Sequence, residues 1–131
     1  MKKEPHSVRY AFCAMRGPRG LMEDQFARDP QVRYLRRVFA RTEQKQSELL
    51  EQIGVVQTDY RLKRVREATL KHFEKAWMLA SRKGVVETED EIGDLYVLCL
   101  ARILSGNRIS VPGELLPSNA KINDVVAEVF K

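Results

Sequence analysis

Cysteine is scarce in this chain: Cys13 and Cys99 are the only two among 131 residues, and neither has a second cysteine at metal-ligand or redox spacing. That excludes a disulfide framework and a cysteine-based zinc module. Free cysteine buries readily, so both are read as core fillers. Long apolar runs are missing as well. The longest, residues 95–101, falls far short of the roughly 20 residues that cross a bilayer. Met1-Lys2-Lys3 is followed by Glu4-Pro5-His6, and the apolar stretch 10–15 runs into Arg16, which does not make a secretory signal. These absences point to a cytoplasmic protein with no membrane partner. No serine or cysteine sits in a nucleophile motif, and neither Gly17-Pro18-Arg19-Gly20 nor Gly54 belongs to a phosphate loop.

What is present is ordinary globular material, 44% hydrophobic and 31% charged, enough for one packed domain. There is no internal repeat, low-complexity tract or linker long enough to divide it. Residues 1–29 form an N-terminal segment that is partly irregular. Alternation over 8–15 permits a short strand or one helical turn, the Gly-Pro stretch then breaks it, and 21–27 can form a short helix. Residues 30–131 form the helical-bundle domain.

Asp29-Pro30 is a helix start, with a capping acid and proline at the first helical position. The helix is expected to run from 30 to about 53 and stop at Gly54, which suits a left-handed C-terminal residue. Val32, Leu35, Phe39, Thr42, Gln46, Leu49 and Ile53 recur at alternating spacings of three and four, a coiled-coil-like seam with two polar members, Thr42 and Gln46. Thr58 or Asp59 caps a second long helix, 58–83, that ends at Gly84. Its apolar face carries Leu62, Val65, Thr69, His72, Phe73, Ala76, Leu79 and Ala80, with Trp77 on one shoulder. Thr88 opens a third helix, apolar all round, that closes at Ser105-Gly106-Asn107. Ser118 or Asn119 caps a short final one. Connections of about four residues join the first three. The fold class is therefore all-α: a small antiparallel bundle of two long helices, one central apolar helix and one short C-terminal helix.

Charge is segregated. Residues 1–20 carry five bases and one acid, 54–84 eight bases and three acids, and 85–106 one base and five acids, within a net charge of +5. The acids crowd the entry to the apolar helix. Thr88-Glu89-Asp90-Glu91 fits a capping box, and Glu89, Asp90 and Asp94 fall near the positive end of that helix's dipole. Glu91 and Asp94, three apart, also share a face and could hold Mg²⁺ if another helix supplied carboxylates.

The run Glu91-Ile92-Gly93-Asp94-Leu95-Tyr96, continuing to Leu100-Ala101-Arg102, resembles the second metal-binding helix of the all-α MazG-type nucleoside triphosphate pyrophosphatases. The resemblance covers about a dozen residues and implies an Mg²⁺-dependent nucleotide pyrophosphatase with Glu91 and Asp94 as metal ligands. That family places an E-x-x-E on the preceding helix. Here Glu67 is followed three residues on by Leu70, and Glu74 by Trp77, so the partner motif is missing.

Two basic strips offer binding surfaces. Arg61, Lys63, Arg64, Arg66, Lys71 and Lys75 lie on the second helix, interrupted only by Glu67 and Glu74, with Arg61, Arg64, Lys71 and Lys75 as its candidate binding residues. Arg33, Arg36, Arg37 and Arg41 lie on the first. Such strips attract phosphate backbones through counterion release. No helix-turn-helix pattern accompanies them, because the helices that the short turns join are too long. His72 falls on an apolar stripe and reads as a core or boundary residue. The leading expectation is a bundle that acts through protein–protein contacts and self-associates as a homodimer, without a cofactor. The contact surface is Arg33, Arg36, Arg37 and Arg41 with Thr42 and Gln46 as seam residues, one or other of which sets the register. Nucleic-acid binding by helix 58–83 is the second expectation and the pyrophosphatase the third.

Overall fold

The computed structural model describes residues 30–56, 60–86 and 88–131, the side chains of Gln31, Val32 and Leu35 aside. The expectations for residues 1–29, for the Asp29, Thr58 and Asp59 caps, for Glu87 and for the seam side chains of Val32 and Leu35 lie outside the described residues. Among the described residues four α-helices follow one another: α1 (Pro30–Ile53), α2 (Arg61–Lys83), α3 (Glu89–Gly106) and α4 (Ala120–Val129), with a 3₁₀ turn at Gly113–Leu115 before the last. No strand occurs among the described residues. The protein is an all-α helical bundle.

The helix ends follow from local chemistry. Gly54 and Gly84 take left-handed backbone angles, φ +79° and +67°. Each lets the next amide fold back, Val55 N–H onto the Leu50 carbonyl at 2.9 Å and Val85 N–H onto the Ala80 carbonyl at 3.0 Å, which satisfies carbonyls the helix leaves open. α3 closes in the same way, with Ile109 N–H on the Leu104 carbonyl at 2.9 Å. There the left-handed residue is Arg108, φ +64°, a place where a side chain is uncommon. At the start of α3, Thr88 Oγ1 accepts from the Glu91 amide at 3.1 Å and Glu91 Oε1 accepts from the Thr88 amide at 3.1 Å, so the capping box is complete. Asn119 caps α4 by accepting from the Lys121 and Ile122 amides. α2 starts at Arg61 with Tyr60 in the cap position and no side-chain cap, one or two residues later than the cap its sequence suggests.

α3 is the axis of the bundle. It packs against α1, α2 and α4, and α2 also packs against α4. Every residue from 95 to 101 is buried, and each large aliphatic side chain removed from water in this way contributes about 1.5–3 kcal/mol. Phe73 of α2 stacks on Trp77 at 5.5 Å between ring centroids and meets Tyr96 of α3 edge-on at 5.2 Å. Trp77 is only 1% exposed. It belongs to the core rather than the shoulder that the helical pattern assigns, because one turn beyond Phe73 its ring reaches across that side chain.

The order of contacts gives the helix directions. Arg61 donates to the Asn107 carbonyl while Arg66 donates to the Tyr96 hydroxyl, so α2 and α3 run in opposite senses. Arg37, Arg41 and Gln46 of α1 meet Glu89, Asp90 and Tyr96 in turn, so α1 and α3 run in the same sense. The N-terminal half of α1 therefore stands beside the acidic entry of α3.

Thr88→Ala removes one half of the capping box. It is expected to lower stability by about 1 kcal/mol, measured as a lower denaturant midpoint with an unchanged slope. An unchanged midpoint would show that the cap contributes nothing.

Candidate functional site

The acidic entry of α3 and the basic strip of α1, separate sites along the sequence, face each other. Arg41 Nη1 lies 2.7 Å from Asp90 Oδ1 and 4.0 Å from Glu89 Oε2, and Arg37 Nη2 lies 3.4 Å from Glu89 Oε1. One turn along, Lys45 Nζ stands 3.9 Å from Asp94 Oδ1. Gly93 makes room for that reach: a β-carbon there would come within 2.6 Å of Lys45 Cε. These pairs are partly exposed, and each adds only about 0.2–1 kcal/mol. Their larger effect is on the surface, where they cancel the cations of α1 against the anions of α3.

Arg37 also lies over the Tyr34 ring, 5.7 Å from its centroid. Burial, with help from Glu89, pushes the Tyr34 phenol above its ordinary value, against the opposing pull of Arg37. Arg33 is exposed and Arg36 half-buried on the same helix.

The two polar seam residues of α1 are used inside the chain. Thr42 is fully buried and donates to the Phe39 carbonyl at 2.7 Å. Gln46 Oε1 accepts from the Tyr96 hydroxyl and from Arg66 Nη1 at 3.3 Å, and Arg66 Nη2 also donates to Glu43 Oε1 at 3.0 Å. Burial pushes the Tyr96 phenol up to about 12 in spite of Arg66. The group is a polar clasp of three helices, and it draws Arg66 out of the basic face of α2.

Among the described residues, the groups around Glu91 and Asp94 do not assemble a divalent-cation donor set. Glu91 is engaged with Thr88, and the charge that another helix brings to Asp94 is the Lys45 ammonium. Among the described residues no three His, Cys, Asp or Glu side chains gather as ligands. Cys99 is a buried free thiol that burial pushes up to about 12, and so it is protonated and inert at neutral pH. His72 is half-buried, with Nδ1 2.9 Å from the Ala68 carbonyl and its ring stacked on Phe130 at 4.3 Å. An open groove of 390 Å³ between α3 and α4 is lined by Leu98, Arg102, Val111 and Asn123 among others, with no His, Cys, Asp or Glu in its wall.

The outer face of α2 is different. Arg64, Lys71 and Lys75 are exposed, and none of them has an ion pair among the described residues. Arg82 shares both properties. Spacings of seven, four and seven place all four on one face, a row about 27 Å long at 1.5 Å per residue. Arg61 is turned toward the end of α3, where it donates to the Asn107 carbonyl at 3.3 Å. Arg82 is absent from the strip assigned by sequence, although the same period signals it. Glu67 and Glu74 flank the row on the side of Lys63.

Compared with known proteins, the chain matches no family model, no curated protein and no solved structure. No helix among the described residues is long and apolar enough to cross a membrane.

Burial raises the Asp94 pKa, the Lys45 ammonium opposes that shift, and Asp90 and Glu91 reinforce it. An acid whose folded pKa lies above its unfolded value disfavours folding when ionised, and the loss is recovered as pH falls through the raised value. Asp94→Asn is therefore expected to be as stable as wild type at pH 7 or more so, with the two converging below pH ~4, near the ordinary carboxylate value. A variant clearly less stable at pH 7 would mean that the Lys45 pair outweighs burial.

Proposed function

We propose that this protein is a binding module that engages a polyanionic backbone, a nucleic-acid strand, through the outer face of α2. One observation carries the reading: Arg64, Lys71, Lys75 and Arg82 form an exposed row without ion pairs among the described residues, whereas Arg37 and Arg41 of α1 are matched by Glu89 and Asp90. α2 carries eight bases against two acids, the largest net positive charge of the described helices. The self-association expected of α1 has less to work with, since Val38, Phe39, Thr42, Leu49 and Leu50 are buried within the chain. The reading goes with a cytoplasmic location and with no cofactor.

A row of four cations that neutralises phosphates releases about as many counterions. The logarithm of the affinity then falls with the logarithm of salt concentration with a slope of about −3. Wild type is expected to be retained on heparin and eluted by salt, and Arg64→Glu with Lys71→Glu to remove that retention. Both positions are exposed, so the fold tolerates the change. Elution of wild type and variant at the same salt concentration would overturn the proposal in favour of a partner that reads another face.

A further inference from the structure

The row of cations on α2 begins with an aromatic ring. Tyr60 occupies the cap position with helical backbone angles, φ −60° and ψ −22°, and is 85% exposed. Because its backbone already follows the helix, it sits one turn before Arg64 and eleven residues before Lys71 on the outer face. The sequence of that face is thus aromatic, then Arg64, Lys71, Lys75 and Arg82. Tyr60 has no hydrogen bond or ring stacking among the described residues. Val56, 66% exposed, lies at the same end of the bundle, in the turn between α1 and α2. Among the described residues, Tyr60 and Val56 are the large hydrophobic side chains left exposed. Both stand at one end of the cationic row.

A cationic row alone reads phosphates in any context. An exposed ring at its end adds an interaction that only unpaired bases can make, because the base faces of a duplex are already stacked on one another. Base–aromatic stacking tolerates any sequence, since every base presents a π-face, and single-strand binders combine a positive track with aromatic side chains on which bases stack. Building on the polyanion reading above, we infer that the ligand of this face is single-stranded nucleic acid, with a base stacked on Tyr60 and the following phosphates on Arg64, Lys71, Lys75 and Arg82. From Tyr60 to Arg82 the face is about 33 Å long, room for up to about ten nucleotides at the roughly 3.4 Å spacing of a stacked strand and fewer for an extended one. Glu67 and Glu74 along one flank would repel a strand that strayed and hold its path to the other side of the row.

Fluorescence anisotropy with a labelled twelve-nucleotide oligothymidylate, a twelve-base-pair duplex and a heparin column separates this inference from the reading beneath it. Wild type is expected to bind the single strand several-fold more tightly than the duplex. Tyr60→Ala is expected to weaken single-strand binding about tenfold, the equivalent of about 1.4 kcal/mol, while heparin retention is unchanged. Tyr60→Trp should restore the affinity. Equal binding of strand and duplex, or a Tyr60→Ala variant that binds the strand like wild type while heparin retention persists, would overturn the single-strand inference and leave the polyanion reading standing. Loss of heparin retention in wild type itself would overturn both.

Discussion

The structure depends on burying α3 on every side. A helix with no polar face in its middle can be stable only when other helices cover its whole circumference. α1, α2 and α4 do this over residues 95–101, and the acidic residues of α3 are left at its N-terminal end. That end holds Glu89, Asp90, Glu91 and Asp94, near the positive pole of the helix dipole where carboxylates are favoured. Running α1 in the same sense as α3 brings Arg37, Arg41 and Lys45 to the same end. Core geometry thereby decides which charges meet.

That encounter has consequences for the rest of the surface. Arg37, Arg41 and Lys45 of α1 are matched where they stand, and Arg66 of α2 is drawn into the clasp with Gln46 and Tyr96. The row from Arg64 to Arg82 is left to face solvent. The same carboxylates that resemble a metal-binding motif act here as a cap and as counter-charges: Glu91 holds the Thr88 turn, and Asp94 answers Lys45 at 3.9 Å. A cation stands where a metal site would need a further carboxylate.

Much of the architecture is legible in local chemistry. Gly54 and Gly84 mark helix ends because a left-handed residue costs them little. Thr88 and Glu91 lie at capping-box spacing, the apolar face of α2 shows as periodicity, and α3 shows as a nearly unbroken apolar run. What local pattern does not express is register between helices. The pairing of Arg41 with Asp90 spans 49 positions and follows from how α1 seats on α3. For the same reason Arg66 and Arg64 look alike along the chain, although one turns inward and the other outward. Arg108 is hidden for a different reason. Its left-handed backbone closes α3 as the glycines close α1 and α2, and no residue preference would select an arginine there. Periodicity misplaces Trp77 because it gives the direction of a side chain from its helix and says nothing of how far a large ring reaches.

Packing thus sets Arg37 and Arg41 of α1 against carboxylates and leaves the row from Arg64 to Arg82 on α2 open. The most direct test compares the salt dependence of oligothymidylate binding for two alanine pairs, Arg37→Ala with Arg41→Ala and Lys71→Ala with Lys75→Ala. Removing one cation that neutralises a phosphate flattens the slope. Taken at about 0.7 per phosphate on a single strand, the expected result is a slope flatter by about 1.5 for the α2 pair and no change for the α1 pair; the reverse result would contradict this division of the cations.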